Sequence, residues 1–128
     1  MILADTTVAV AYERTRSARL TQIVQANAAA ICGITVAEMF AGVRTAQDEV
    51  RCLAALADFQ RLPIPDTLWE TVGRNQSQLL AQGRTVPLAD AAIATLALHV
   101  DVELWHYDRH FLDIQKVLPR LKFFQEPP

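Results

Sequence analysis

At 128 residues, 52% of them hydrophobic and 20% charged, the chain can build one full core and is too apolar to be disordered. One domain over 1–128 is expected, and the length excludes two ordinary ones. The formal net charge of -2 excludes a broad basic surface for gripping nucleic acid, while leaving room for a local basic strip.

The opening run MILADTT has no basic stretch ahead of its apolar residues, and Asp5 interrupts them, so neither a signal peptide nor a membrane span is expected. A cytoplasmic location is the corresponding expectation. A strand is predicted over 2–4 and a helix from about 7. Asp5 then lies just past the C-terminal end of a strand, the edge at which open α/β sheets gather ligands. Arg14, Arg16 and Arg19 read either as a basic rim or as a solvated connection.

Ala29 to Cys32 is predicted as the second strand, with Gly33 leading out of it. Thr35 then fits an N-cap whose capping box closes on Glu38, three residues later. A glutamate in that position needs no metal to justify it, so structural and functional readings of Glu38 both stand. Gly42 falls one turn further on the same face. A helical glycine costs about 1 kcal/mol relative to alanine, which points to a close approach by another element or by substrate. Cys32 and Cys52 lack metal-type spacing and are expected to be buried free thiols.

The segment 48–59 has the stripe of an amphipathic helix. Leu62-Pro63-Ile64-Pro65 is held extended by its prolines, as a short edge strand or its flanking connection. Asp66 is predicted to cap a helix carrying Leu68, Trp69, Val72, Leu79 and Leu80, with Trp69 in the core and Gly83 left-handed after the last turn. Pro87 precedes a helix over 90–98 so apolar that it must be enclosed, and Asp90 stands at its start. There the helix dipole alone favours a carboxylate. Val102 to Trp105 is predicted as a strand, and Asp108 follows it much as Asp5 follows the first. Leu118 to Phe124 offers a last strand or a docking surface.

This order predicts an α/β fold, a three-layer α/β/α sandwich with a mainly parallel sheet. Asp5, Glu38, Asp90 and Asp108 all fall at strand ends or first helical turns. Carboxylates gathered there repel one another unless protonated or joined by a cation, and oxygen ligands select hard ions such as Mg²⁺ or Mn²⁺. Such an ion activates water for attack on a phosphodiester. The Thr7 hydroxyl, two residues beyond Asp5, could orient that water.

With MILADTT at the start, ITVAEMFAGVR at 34–44, VPLADAAIATLA at 86–97 and YDRHFLDI at 107–114, the chain resembles a PIN-domain ribonuclease of the VapC type, the toxin of bacterial toxin–antitoxin pairs. The resemblance implies a compact α/β/α fold and a metal site of Asp5, Glu38, Asp90 and Asp108 holding Mg²⁺ or Mn²⁺. It further implies endonucleolytic cleavage of RNA, a homodimer, and a small antitoxin partner that inserts a C-terminal segment near the acidic pocket. The chain departs from the family pattern at Ala11, where an acidic or polar residue is common, and at His106, where threonine or serine is usual. His106 is expected either to bond Asp108 or substrate, or to pack as a ring with an internal partner. Phe111 is expected to anchor the DRHF turn in the core, with Arg109 facing solvent or substrate and Asp113 outside the primary ligands. The alternatives are a catalytically silent PIN-like RNA-binding or regulatory domain, or a phosphate-handling enzyme. Against the last, the only lysines, Lys116 and Lys122, both follow Asp108.

Overall fold

A computed structural model describes residues Met1–Pro128. Strands β1 (Ile2–Ala4), β2 (Ala30–Ile31), β3 (Gln60–Arg61) and β4 (Glu103–Trp105) form one sheet in the order β3-β2-β1-β4, with every pairing parallel. Helices α1 (Thr6–Thr15), α2 (Ala18–Ala26), α3 (Gly33–Ala41) and α4 (Ala46–Leu56) lie in the first part of the chain. Helices α5 (Trp69–Ala81), α6 (Leu88–Val100) and α7 (His110–Val117) follow.

Strand alternation assigns these helices to opposite faces. Ile2, Ala4, Ile31 and Trp105 pack with α1 to α4 in one core, while Leu3, Cys32 and Leu104 pack with α5 to α7 in the other. Both faces are covered, as a parallel sheet requires. Helix α6 is buried from Ala91 through Ala97, which explains its nearly continuous apolar sequence. Each fully buried Leu, Ile or Phe here contributes roughly 1.5–3 kcal/mol.

The chain runs from β1 outward through β2 to β3, then returns to β4 on the other side of β1. The crevice at this reversal, between the C-terminal ends of β1 and β4, is where open sheets place ligands. The Asp5 amide donates to the Trp105 carbonyl at 3.0 Å, fixing the two strand exits side by side.

Several local expectations are corrected. Helix α3 begins at Gly33 with Cys32 as its cap and no capping side chain, so Thr35 is not an N-cap and makes no capping box with Glu38. The capping box belongs to Thr45 and Asp48 at the start of α4, which spans Ala46–Leu56 rather than 48–59. Of the two readings of Leu62 to Pro65, the flanking connection holds, and the edge strand itself lies just before it at Gln60–Arg61. Asp66 opens a single 3₁₀ turn and its side chain caps nothing, and Trp69 is 42% exposed instead of buried. Helix α6 starts at Leu88, after Pro87, placing Asp90 inside its first turn.

Other expectations hold. Gly83 has φ 72°, and the Gly83 and Arg84 amides close on the Leu80 and Leu79 carbonyls to end α5. Cys32 and Cys52 are buried free thiols. Phe123 bridges Leu104 in parallel, so the last apolar stretch extends the sheet beyond β4. The arginines form no common rim. Arg16 pairs with Asp58, and Arg19 with Glu126.

Candidate active site

Asp5 is the N-cap of α1 and only 2% exposed. Its Oδ1 accepts the Val8 amide at 3.1 Å, and the Thr7 hydroxyl donates to the same carboxylate at 2.7 and 2.9 Å. Burial raises the Asp5 pKa to about 6, against the lowering effect of these hydrogen bonds and with a further push from the charge of Asp90. Thr7 in turn accepts the Tyr107 amide at 3.0 Å, so its hydroxyl ties the exit of β1 to the exit of β4.

Asp90 comes from the first turn of α6, where free amides favour an anion. Burial also raises its pKa, the His110 hydrogen bond opposes the rise, and the charges of Asp108 and Glu38 add to it. Asp90 thus feels Asp5, Asp108 and Glu38 at once, and the four carboxylates share one electrostatic neighbourhood. Glu38 projects from the middle of α3 and accepts the Thr6 hydroxyl at 2.6 Å; Thr6 and the fully buried Thr35 hydroxyl are 3.1 Å apart.

Asp108 folds back so that Oδ1 accepts the His110 amide at 2.9 Å, starting α7. Its Oδ2 lies 3.3 Å from His110 Nδ1, and Asp90 Oδ2 lies 3.0 Å from the same nitrogen. His106 combines the two roles expected of it: Nδ1 accepts the Asp108 amide at 3.1 Å, and the ring packs on Phe111 and Phe123. Burial lowers its pKa, keeping it the neutral acceptor that this bond requires. Phe111 is fully buried, as expected, and Asp113 points away to Arg84 at 2.8 Å.

His110, Thr6 and Thr35 join the site without having been expected there from sequence. His110 lies two residues after Asp108, and this spacing within DRHF is the one signal that could have found it. The donor set suits a divalent cation: Asp90, Asp108 and His110 each offer a ligand atom within 4.8 Å of the others, and the buried Asp5 carboxylate adds negative charge close by. A groove of about 480 Å³ leads from Glu38 between α1, α3 and α4; Arg14 and Arg51 stand on its walls together with the acidic Glu13 and Asp48, both of which pair with Arg51. Gly42 also lines it, and a Cβ there would meet only the Met39 carbonyl at an ordinary 3.5 Å. No close approach by another element accounts for that glycine.

The PIN domain family matches residues 2–117. Ribonuclease VapC21 from Mycobacterium tuberculosis is 30% identical over 100 residues, covering 73% of this chain and 70% of that protein. Among solved structures, VapBC2 from Rickettsia felis, bound to a DNA fragment from its promoter, aligns with a TM-score of 0.80 at 16% identity over 97% of this chain and 98% of that one. DNA-bound VapBC from Salmonella typhimurium aligns with a TM-score of 0.78 at 16% identity, over 96% of each chain. VapBC-5 from Mycobacterium tuberculosis gives 0.69 at 22% identity, again over 96% of each. With nearly its whole length matched and its acidic side chains gathered at the reversal of a parallel sheet, the chain belongs to the PIN-domain family.

Proposed function

We propose that this chain is a metal-dependent endoribonuclease, the toxin of a toxin–antitoxin pair. The observation that carries the proposal is the convergence of Asp5, Glu38, Asp90 and Asp108 at one sheet edge of a PIN domain. A similar protein is named a ribonuclease, and several solved structures of like fold are toxin–antitoxin complexes.

Asp90 and Asp108 would hold Mg²⁺ or Mn²⁺, with Asp5 and Glu38 completing the negative field around it. The bound cation would neutralise charge on the scissile phosphate and acidify the attacking water. Asp5 is kept rigid by Val8 and Thr7, so Thr7 acts chiefly by positioning that carboxylate; one hydroxyl lone pair remains to orient water. Glu38 is aimed by Thr6. Arg14 lines the same groove as Glu38 and, unlike Arg51, makes no ion pair with its acidic walls, so it is the groove's free cation for an RNA phosphate.

The same groove suits the C-terminal segment of a small antitoxin, which would block the RNA path. A homodimer is supported by the α5 face, where Trp69 and Leu80 are exposed to 42% and 54% three helical turns apart. No helix is long and apolar enough to cross a membrane.

The direct test is cleavage of cellular RNA by purified protein with Mg²⁺ or Mn²⁺, and with chelator. Ion-dependent cleavage is expected. A folded, metal-binding protein that cuts no RNA would instead establish the silent, regulatory reading.

A further inference from the structure

We propose that His110 is an inner ligand of the catalytic cation and biases the site toward Mn²⁺ over Mg²⁺. This rests on the metal-dependent reading above and assigns a role to a residue outside the four carboxylates.

Asp108 uses Oδ1 to accept the backbone amide of His110, so Oδ2 is the oxygen left facing the crevice. Asp90 likewise presents Oδ2. Both oxygens converge on His110 Nδ1, at 3.0 Å and 3.3 Å. The one proton that Nδ1 can carry must serve two carboxylates there, a task that a doubly charged ion performs better. The spacing fits as well. Two atoms bound at right angles to an ion with bonds of about 2.1 Å lie about 3.0 Å apart. The ring reaches this position from the first turn of α7, which Asp108 and the buried Phe111 hold in place, and it remains part-exposed to solvent. An ion entering the crevice would take Nδ1 as ligand once the proton moves to Nε2, so neither carboxylate has to swing away. Mg²⁺ demands oxygen donors and parts reluctantly with water, whereas nitrogen donors favour first-row transition ions.

The test uses the full chain and Mn²⁺ itself as probe. Electron spin-echo envelope modulation of the Mn²⁺-loaded protein should show ¹⁴N coupling from a bound imidazole, lost in His110→Asp. Calorimetric titration should show the ratio of Mg²⁺ to Mn²⁺ dissociation constants falling at least tenfold in His110→Asp, with circular dichroism unchanged. Bound Mn²⁺ without ¹⁴N coupling in the wild type, or coupling that survives His110→Asp, overturns the ligand assignment alone. Failure of the wild type to bind either ion removes both this assignment and the metal-dependent function.

Discussion

Thr7 and Asp5 form a two-pronged contact in which one hydroxyl proton faces both carboxylate oxygens, at 2.7 and 2.9 Å. Because the same hydroxyl accepts the Tyr107 amide, Thr7→Val removes two bonds and leaves a backbone donor unpaired. Loss of the Thr7 bond should lift the Asp5 pKa beyond about 6, since that bond holds it down. Carboxyl ¹³C titration in chelator should show the upward move in Thr7→Val and little change in Thr7→Ser. Cleavage at neutral pH should fall roughly tenfold in the valine variant only, about 1.4 kcal/mol of barrier. Equal titration of Asp5 in both variants would remove the positioning role.

The buried carboxylate also makes a stability prediction. The folded-state pKa of Asp5, about 6, lies above its ordinary 3.8. Its contribution to stability is therefore complete below pH 3.8 and is lost as pH rises through about 6. In chelator at neutral pH, Asp5→Asn should melt higher than the wild type by the equivalent of about 1–3 kcal/mol, while losing cleavage. Asparagine retains the acceptor for Val8 without the buried charge. A lower melting temperature for Asp5→Asn in chelator would contradict the account.

Asp90→Asn separates capping from chemistry. The residue sits in the first turn of α6, where asparagine is tolerated and the buried run Ala91–Ala97 holds the helix regardless. Circular dichroism should be unchanged, while cleavage at saturating Mn²⁺ should drop at least about 100-fold, or roughly 2.7 kcal/mol. Near-normal turnover would exclude Asp90 from the site.

If the α5 face makes the homodimer, Trp69→Glu with Leu80→Glu should convert the protein to a monomer. Both side chains are largely exposed, so the fold should tolerate the exchange. Light scattering at micromolar concentration distinguishes the outcomes; a wild type that is already monomeric removes the dimer.

The strand exits are legible in the sequence because a short apolar run that stops at an aspartate marks the point where the chain leaves the core, and both Asp5 and Asp108 lie where that pattern puts them. Glu38 reaches the site for a reason that its local spacing misstates. Thr35 and Glu38 have capping-box spacing, but α3 starts two residues before Thr35. The Thr35 hydroxyl instead turns inward toward Thr6, a long-range contact no local pattern encodes. The size of Trp69 argues for the core, yet the inward face of α5 is taken by Val72 and Leu79, with Asn75 and Gln76 bonding to Thr95 and the Val86 carbonyl. His110 is hard to single out from sequence because its partners are set by tertiary proximity: Asp90 is 20 residues away along the chain.

Strand β1 pairs Ile2 with Glu103 and Ala4 with Trp105, joining the first residues of the chain to some of the last. During synthesis Asp5 is made at the outset, but Asp90 is added only after about seven-tenths of the chain and Asp108 after about five-sixths. Closing so long a loop is among the slower steps available to a small domain. A growing chain therefore holds only unassembled pieces of the acidic centre, which comes together once Asp108 has been made and β4 can pair with β1.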